Sequence, residues 1–377
     1  MNFFKINAAP FYFKLAIVLV GILSLGYITV LGKEVLCPLV FGLLFSILLL
    51  PVAKFIEKKL RLHRGTASAL SVLLLLLAIV LILFLIGSQL TSLSQDWPMF
   101  KAQLVESLHN LQQWVSSKFH INLEKQMNYL NTATSNIASS TPSVIGATFV
   151  TLSSTILFLV FILIDTFFLL FYRHLLLKFI IKSFKEENSN IVLDIVEQVQ
   201  YIIRKYILGL LLEMLIVATV CCVVFLILDI KYAVLLGLIT GLFNIIPYIG
   251  IFTALLLNVI ITFATAAASG KVLLVLITVI AMHLIDSNVL LPVIVGSKVK
   301  INAFITLIGV VVGEMIWGIP GMFLSIPVIA ISKIIFDRVE SLQAWGMLLG
   351  DEEIIKKPGS KRMLLSKKKE NKIDGSA

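Results

Sequence analysis

The sequence predicts an all-α, polytopic membrane protein with about eight transmembrane helices. Of its 377 residues, 59% are hydrophobic and 14% are charged, whereas soluble domains are about half apolar and about a quarter charged. The mean hydropathy is +1.03. Apolar runs total roughly 200 residues, and one membrane-spanning helix needs about 20. This composition excludes a soluble globular protein, a disordered chain and a nucleic-acid-binding protein with a charged surface.

Residues 1–88 are predicted to hold the first three spans. Apolar runs at 14–31 and 35–53 are separated only by Gly32, Lys33 and Glu34, which leaves room for a tight turn. The third apolar run covers 67–88. The basic cluster between Lys54 and Arg64 predicts a cytoplasmic loop by the positive-inside rule. The N-terminus is then expected in the cytoplasm as well.

Residues 89–147 form the only long polar stretch before the C-terminal tail, and we expect this region to be a small extracytoplasmic helical segment. Apolar residues recur every three or four positions between Trp97 and Phe119, which predicts one amphipathic helix. A second, weaker helix follows. Their apolar faces can pack against each other, the membrane surface or a neighbouring subunit. A homo-oligomer is therefore a prediction.

Residues 148–206 are predicted to contain the fourth span, at 148–172, followed by a second cytoplasmic basic region that begins at Arg173. Apolar residues at spacings of three and four from Val192 to Tyr206 predict a cytoplasmic amphipathic helix. That helix leads into the fifth span at 207–228.

Residues 207–338 are predicted to be the transport core. The runs 232–268 and 301–335 are too long for one straight span, so each is a tilted helix, a broken helix or a hairpin that does not fully cross. A further span lies between them at 272–291. The breaks are assigned to proline and glycine residues. These are Pro247, Gly250, Pro292, Gly296, Pro320, Gly321 and Pro327.

Residues 339–377 form a basic tail, which predicts a cytoplasmic C-terminus. Lys298 and Lys300 conflict with the simple count of eight crossings, because that count puts them outside. A re-entrant segment near 292–320 would remove the conflict.

Five ionisable side chains lie within apolar runs, where a charge is costly and usually faces the protein interior or a water-filled path. They are Asp165, Glu213, His283, Asp286 and Glu314. His283 and Asp286 are three residues apart, so they share a helix face and are expected to be able to hydrogen-bond. Each carboxylate can instead be a structural tie to a backbone amide or to a Lys or Arg at the membrane edge.

The predicted transport path combines these charges with polar groups beside the helix breaks. It comprises Asn244, Pro247, Tyr248, Gly250, His283, Asp286, Asn288, Pro292 and Glu314. Broken helices release backbone groups that protein, water or a bound solute must satisfy. Asparagine side chains can equally stabilise a kink by bonding those groups. Asp165 and Glu213 are further intramembrane charges outside this path.

The sequence contains no enzyme signature. It has no P-loop, no HExxH and no GxSxG motif. Its three cysteines have neither the spacing of metal ligands nor that of a disulfide framework. We therefore expect no catalytic residue, no metal and no cofactor, and no nucleic-acid partner.

The C-terminal half resembles the autoinducer-2 exporter family of bacterial membrane proteins. The matching stretches are Tyr206–Gly209, Leu236–Gly250 with its Asn244-Ile-Ile-Pro-Tyr-Ile-Gly250 element, Asp286–Asn288, Leu291–Gly296 and Gly309–Pro327. Members often carry another proline after that glycine, where this chain has Ile251. The resemblance implies a multi-pass inner-membrane transporter. Members are associated with autoinducer-2 export, and others with sodium/proton exchange.

The leading hypothesis is an inner-membrane secondary transporter or facilitator that exports a small polar solute, such as autoinducer-2, or an ion. Asp286 and Glu314 are its expected proton- or cation-responsive groups. A sodium/proton antiporter is one alternative. A non-transporting membrane scaffold, acting through residues 94–138 and the basic tail, is another. The expected partners are the lipid bilayer and a small polar solute or cation.

Overall fold

The computed structural model describes residues 10–95, six positions between 102 and 117, 141–247, 249–265, 269–294 and 301–350. Within these ranges the chain is helical, which confirms the predicted all-α class. The helices are α1 Phe11–Leu31, α2 Lys33–Lys59, α3 Arg64–Gln95, α4 Thr141–Phe171, α5 Arg173–Lys182, α6 Ser189–Ile227, α7 Ala233–Asn244, α8 Ile249–Thr265, α9 Ser269–Ile285, α10 Leu291–Ile294, α11 Ala303–Trp317, α12 Ile319–Arg338 and α13 Gln343–Leu349.

Six helical segments in the described ranges are long and apolar enough to cross a membrane. They lie in α2, α3, α4, α6, the segment that joins α9 to α10, and α12. Four shorter apolar helices within the same ranges lie in α1, α7, α8 and α11. The protein is therefore a polytopic membrane protein, as predicted, but its C-terminal half reaches that architecture through hairpins.

The first two helices meet at the predicted tight turn. Gly32 alone separates α1 from α2, and the backbone N–H of Gly32 donates to the Ile28 carbonyl at 2.8 Å. Helix α2 packs along α4. The two helices are so close at Gly42 that a Cβ atom there would lie 2.6 Å from the Cβ atom of Asp165. Between 89 and 140, the six described positions that follow α3 are helical. The apolar residues of the helix predicted from Trp97 to Phe119 lie outside the described residues.

Helix α6 runs unbroken for 39 residues, so the predicted amphipathic helix and the fifth span form one element. Its buried face carries Tyr206, Leu210, Glu213, Val217 and Cys221 at spacings of four, three, four and four. Such spacing keeps all five on one side of a helix. One half of this face packs against α2 and α12, and the other half against α7, α8 and α9.

The run 232–268 is a hairpin. Helix α7 has 12 residues and α8 has 17. At 1.5 Å per residue, α7 is about 18 Å long, too short for a hydrocarbon core of about 30 Å. Glycines let α7 approach α6 closely, since a Cβ atom on Gly241 would lie 2.6 Å from the Cβ atom of Ala218. The turn between the two helices contains Pro247, which agrees with the predicted break.

The run 301–335 is also a hairpin, but its break lies elsewhere than predicted. Gly318 ends α11 with a φ angle of +67°, a conformation that favours glycine. Pro320 lies in the first turn of α12, where a missing N–H costs nothing, and the helix continues past Pro327. The prediction that Pro320, Gly321 and Pro327 break the run was therefore wrong. Gly321 instead permits close contact between the two helices.

Pro292 does not interrupt the span between the two hairpins. Helix α9 passes through a π-helical turn, Asp286–Leu290, and continues as α10. The wider turn lies just before Pro292, which has no N–H for the regular helical bond. The prediction of a break at Pro292 was wrong, because the backbone widens there without ending the helix. Gly296 lies outside the described residues.

The two hairpins alter the expected side of the loop after α10. A hairpin at 232–268 returns to the side from which it entered, so the next span runs inward if the N-terminus is cytoplasmic. The backbone N–H of Asn302 donates to the Leu349 carbonyl at 3.0 Å, which joins the start of α11 to the start of the tail. Both observations put the start of α11 on the same side as the start of the tail, which is the cytoplasmic side if the N-terminus is cytoplasmic. Residues 298 and 300 lie outside the described residues.

We predict that Lys298→Cys reacts with a membrane-impermeant maleimide only from the cytoplasmic side. Lys58→Cys is the matched cytoplasmic reference, and Lys271→Cys, beside its partner Asp229, is the reference for the opposite side. Labelling is compared in right-side-out and inverted vesicles. Labelling of Lys298→Cys together with Lys271→Cys would contradict the two-hairpin topology.

Candidate functional site

The centre of the C-terminal half contains two buried carboxyl groups joined by one amide. The Nδ2 atom of Asn244 donates to Oε1 of Glu213 at 3.1 Å and to Oδ2 of Asp286 at 3.1 Å. Glu213 is 2% exposed and Asp286 is 5% exposed. One amide nitrogen therefore holds two acidic side chains from distant parts of the chain.

Each of the three residues is positioned by a local feature of the backbone. Glu213 lies on the buried face of α6. Asn244 is the last residue of α7 and so lies at the tip of the first hairpin. Asp286 begins the π-helical turn after α9. Such turns inside helices are frequent at functional sites, because they change the direction in which a side chain points.

The two carboxyl groups are incompletely satisfied. Oε2 of Glu213 and Oδ1 of Asp286 are buried and have no hydrogen-bond partner among the described residues. Two ionised carboxylates that share one amide donor repel each other, and an unpaired buried charge is costly. A proton or a small cation between them would relieve both costs. The arrangement is therefore suited to binding one positive charge.

A small cavity adjoins Asp286 and Asn244. Its volume is about 10 Å³, on the order of one water molecule. Asn244, His283 and Asp286 line it together with apolar side chains such as Val217 and Met282. The cavity accommodates a water molecule or a small ion, and is too small for an organic solute in this conformation.

His283 and Asp286 do not form the hydrogen bond that their spacing predicted. Nδ1 of His283 is buried without a partner, and the bond that Asp286 accepts comes from Asn244. The π-helical turn begins only at Asp286. Both side chains line the same small cavity, which agrees with the predicted shared helix face.

A second polar layer lies between the two helices of the first hairpin. The Nδ2 atom of Asn258 donates to Oγ1 of Thr240 at 3.0 Å and to the Ala254 carbonyl at 2.6 Å. Oδ1 of Asn258 and Oγ1 of Thr262 are buried and have no partner among the described residues. Thr240 also lines the small cavity, so this layer adjoins the carboxyl pair.

The other predicted residues near the helix breaks contact backbone groups or lie in a turn. Gly250 is buried against the Phe243 carbonyl, and a Cβ atom there would collide with it. Pro247 lies in the turn, and Tyr248 lies outside the described residues. Asn288 is exposed and its Nδ2 atom donates to the Leu284 carbonyl at 2.8 Å. That bond matches the kink-stabilising alternative for asparagine.

Three predicted positions lie apart from the pair. Pro292 lies in α10, and Glu314 is exposed on α11, a helix of the second hairpin. Asp165 is half-buried on α4, beside Gly42 of α2. No described hydrogen bond or ion pair connects Glu314 or Asp165 with Asn244. Any role of Pro292 or Glu314 in transport stays a prediction.

Sequence reasoning left Glu213 outside the predicted path. It considered a tie to basic residues at the membrane edge, but the side chain contacts Asn244 instead. The signal was present in the periodicity of α6, since Glu213 shares a face with Tyr206, Leu210 and Val217. An acidic residue on an otherwise apolar buried face indicates a polar partner in the core. Thr240 was missed because its contacts depend on hairpin packing.

No group of three or more His, Cys, Asp or Glu side chains among the described residues is placed to hold a metal ion. The ion pairs lie away from the site. Arg173 binds Glu57 at 2.6 Å, and Arg338 binds Asp194 at 2.6 Å. Lys271, near the start of α9, binds Asp229, which follows the end of α6. The Glu213–Asp286 pair thus has no basic partner in the described structure.

Comparison with known proteins identifies related chains. Residues 14–341 match the family model described as "AI-2E family transporter". Over 81% of this chain and 84% of the relative, the sequence is 28% identical to "Putative transport protein YueF" of Bacillus subtilis. It is 27% identical to "Putative transport protein YrrI" of the same species, over 80% of this chain and 86% of the relative. It is 23% identical to "AI-2 transport protein TqsA" of Escherichia coli, over 85% of this chain and 90% of the relative.

We predict that Asn244→Leu destabilises the protein by about 1–3 kcal/mol, because it removes the amide that satisfies two buried acceptors. The measurement is thermal unfolding in detergent. Asn288→Leu is the matched control, since Asn288 is exposed and bonds mainly to its own helix.

The double variant Asn244→Asp/Asp286→Asn exchanges the amide and one carboxyl group. It should be more stable than Asn244→Asp alone, which crowds three carboxyl groups together. Equal stability of these two variants would show that Asn244 and Asp286 do not interact.

Proposed function

Because the chain belongs to the AI-2E transporter family, we propose that it is an ion-coupled secondary transporter that exports a small polar solute across the bacterial cytoplasmic membrane. The family is one of transporters rather than enzymes, and the chain is a multi-pass membrane protein. The finer statements, namely the solute, its direction and the coupling ion, belong to this proposal.

One observation carries the proposal, the buried Glu213–Asn244–Asp286 group. Asn244 lies at the tip of a hairpin that does not cross the membrane, while the two carboxyl groups belong to long spans. A proton or cation bound between Glu213 and Asp286 favours the arrangement in which Asn244 bonds both carboxyl groups. Its departure leaves two repelling charges against the hairpin tip, which favours movement of the tip. Binding of one ion is thereby linked to the position of the hairpin.

The solute is proposed from the relatives. TqsA is named as an AI-2 transport protein, and this supports autoinducer-2 or a similar small polar molecule as the exported solute. The cavity beside Asp286 has room for about one water molecule. Solute binding therefore requires displacement of the hairpin tip, which the exchange of the ion provides.

We predict that purified protein in sealed vesicles moves autoinducer-2 faster when a proton or sodium gradient is imposed. Glu213→Gln and Asp286→Asn should each remove this stimulation, because a neutral amide no longer takes up the ion. The measurement is solute flux with and without each gradient, and we expect a loss of at least about 10-fold, equivalent to about 1.4 kcal/mol.

Asp165→Asn is the matched control, since Asp165 is an acidic residue of α4 outside the site. It should retain the stimulation by the gradient. Retained stimulation in both Glu213→Gln and Asp286→Asn would contradict the assigned site. A flux that no gradient alters in the unsubstituted protein would favour a facilitator over an ion-coupled transporter.

A sodium/proton antiporter is a second candidate, favoured by the size of the cavity. Asp286 lines a space for about one water molecule and shares the Asn244 amide with Glu213, which suits alternating occupation by a proton and a sodium ion. This candidate predicts that a sodium gradient moves protons in vesicles without any organic solute, as measured with an internal pH dye. Absence of proton movement under a sodium gradient would exclude it.

A further inference from the structure

Helix α5 begins where a membrane span ends. The apolar spanning segment Ser154–Phe171 is followed at once by α5, and the Leu176 N–H donates to the Tyr172 carbonyl at 3.0 Å. The chain therefore bends at Tyr172 without a loop. Arg173, the first residue of α5, binds both carboxylate oxygens of Glu57 at the end of α2. This pair holds the start of α5 at the boundary of the helix bundle.

Helix α5 presents an apolar face that no described residue covers. Leu175 is 62% exposed and Phe179 is 68% exposed. Leu176, Ile180 and, just beyond the helix, Phe184 are exposed as well. The opposite face, with Leu177 and Ile181, is partly buried, and α5 contacts α6.

This apolar face continues the exposed apolar surface of the preceding span. Phe168 and Tyr172 are 49% and 44% exposed at the end of α4. In a membrane-spanning helix such residues face lipid. Leu175 and Leu176 follow directly along the chain, so the lipid-facing surface extends onto α5.

Lysines border the apolar face. Lys178 and Lys182 lie four residues apart within α5, Lys185 follows, and residues 173–185 contain no Asp or Glu. None of the three lysines forms an ion pair with another described residue. Partial burial, and then the charges of Arg64 and Arg173, lower the pKa of His174. His174 therefore adds little charge at neutral pH, and the lysines supply the positive field.

We propose that α5 lies in the headgroup region of the cytoplasmic leaflet and binds anionic phospholipid through Lys178 and Lys182. An amphipathic helix with apolar residues on one face and lysines beside it is suited to this position. Each lysine near an anionic leaflet strengthens the attachment. Because Arg173 is bound to Glu57, lipid contact at α5 also fixes the end of α4 against α2.

The first test measures the depth of α5 in the membrane. Nitroxide labels are placed on cysteines at Leu175, Phe179, His174 and Glu187 of the full chain with Cys222→Ser, in nanodiscs of phosphatidylcholine and phosphatidylglycerol. Cys37 and Cys221 are buried, and a sample without an added cysteine gives the background. Labels at 175 and 179 should collide more with oxygen than with a nickel chelate, and labels at 174 and 187 the reverse.

The second test identifies the headgroup. Removing phosphatidylglycerol should raise the nickel accessibility of the Phe179 label at least two-fold. Lys178→Ala/Lys182→Ala should have the same effect and abolish the response to phosphatidylglycerol. Lys54→Ala/Lys58→Ala is the matched control, since it removes the same charge from α2 and should leave the Phe179 label unchanged.

Three outcomes would overturn the proposal. High nickel accessibility at 179 would place the face in water. Exclusion of both reagents with spin–spin broadening would mean that another copy of the chain covers it. A deep label that is insensitive to phosphatidylglycerol and to both lysines would rule out recognition of the anionic headgroup.

Discussion

The arrangement of the C-terminal half depends on the amide of Asn244. This side chain is the only described hydrogen-bond donor to two buried carboxyl groups that have no basic partner in the described structure. Without it, Glu213 and Asp286 would lie opposite each other in an apolar interior, where the cost of desolvation adds to their repulsion. The amide offsets part of that cost and attaches the tip of the first hairpin to two spans. In the proposed mechanism, the position of the hairpin and the ionisation of the two carboxyl groups are therefore coupled.

Short helices make that coupling mechanically possible. A span of 20 residues is anchored by headgroups at both ends. By contrast, the end of α7 and the start of α8 meet at a turn within the helix bundle. Their tip is held by side-chain contacts rather than by the membrane boundary. Gly237 and Gly241 of α7 lie directly against the backbone of α6. The two helices therefore pack closely there without interlocking large side chains. A hairpin held in this way can move when one polar contact at its tip changes.

Much of the fold could be predicted from the sequence because membrane spans obey a strong constraint. Every backbone polar group in the hydrocarbon must be satisfied within its own helix, so apolar length reveals a span. The turn at Gly32 was predictable for this reason. Proline was a weaker guide. Pro327 lies inside a helix, and the second hairpin turns at Gly318, where the positive φ angle rather than the missing N–H matters.

The candidate site was only half predictable, because a sequence shows which residues share a helix face but not which faces meet. Asp286 and Asn244 were identified by their closeness to helix breaks. Glu213 was not, since its relation to them arises from packing of α7 on α6. Helical spacing also suggested a hydrogen bond between His283 and Asp286, but Asp286 accepts from Asn244 instead. Asn244 and Asp286 lie where the backbone departs from a regular helix, whereas Glu213 lies on an unbroken one. The partner of Glu213 therefore depends only on which helices pack together.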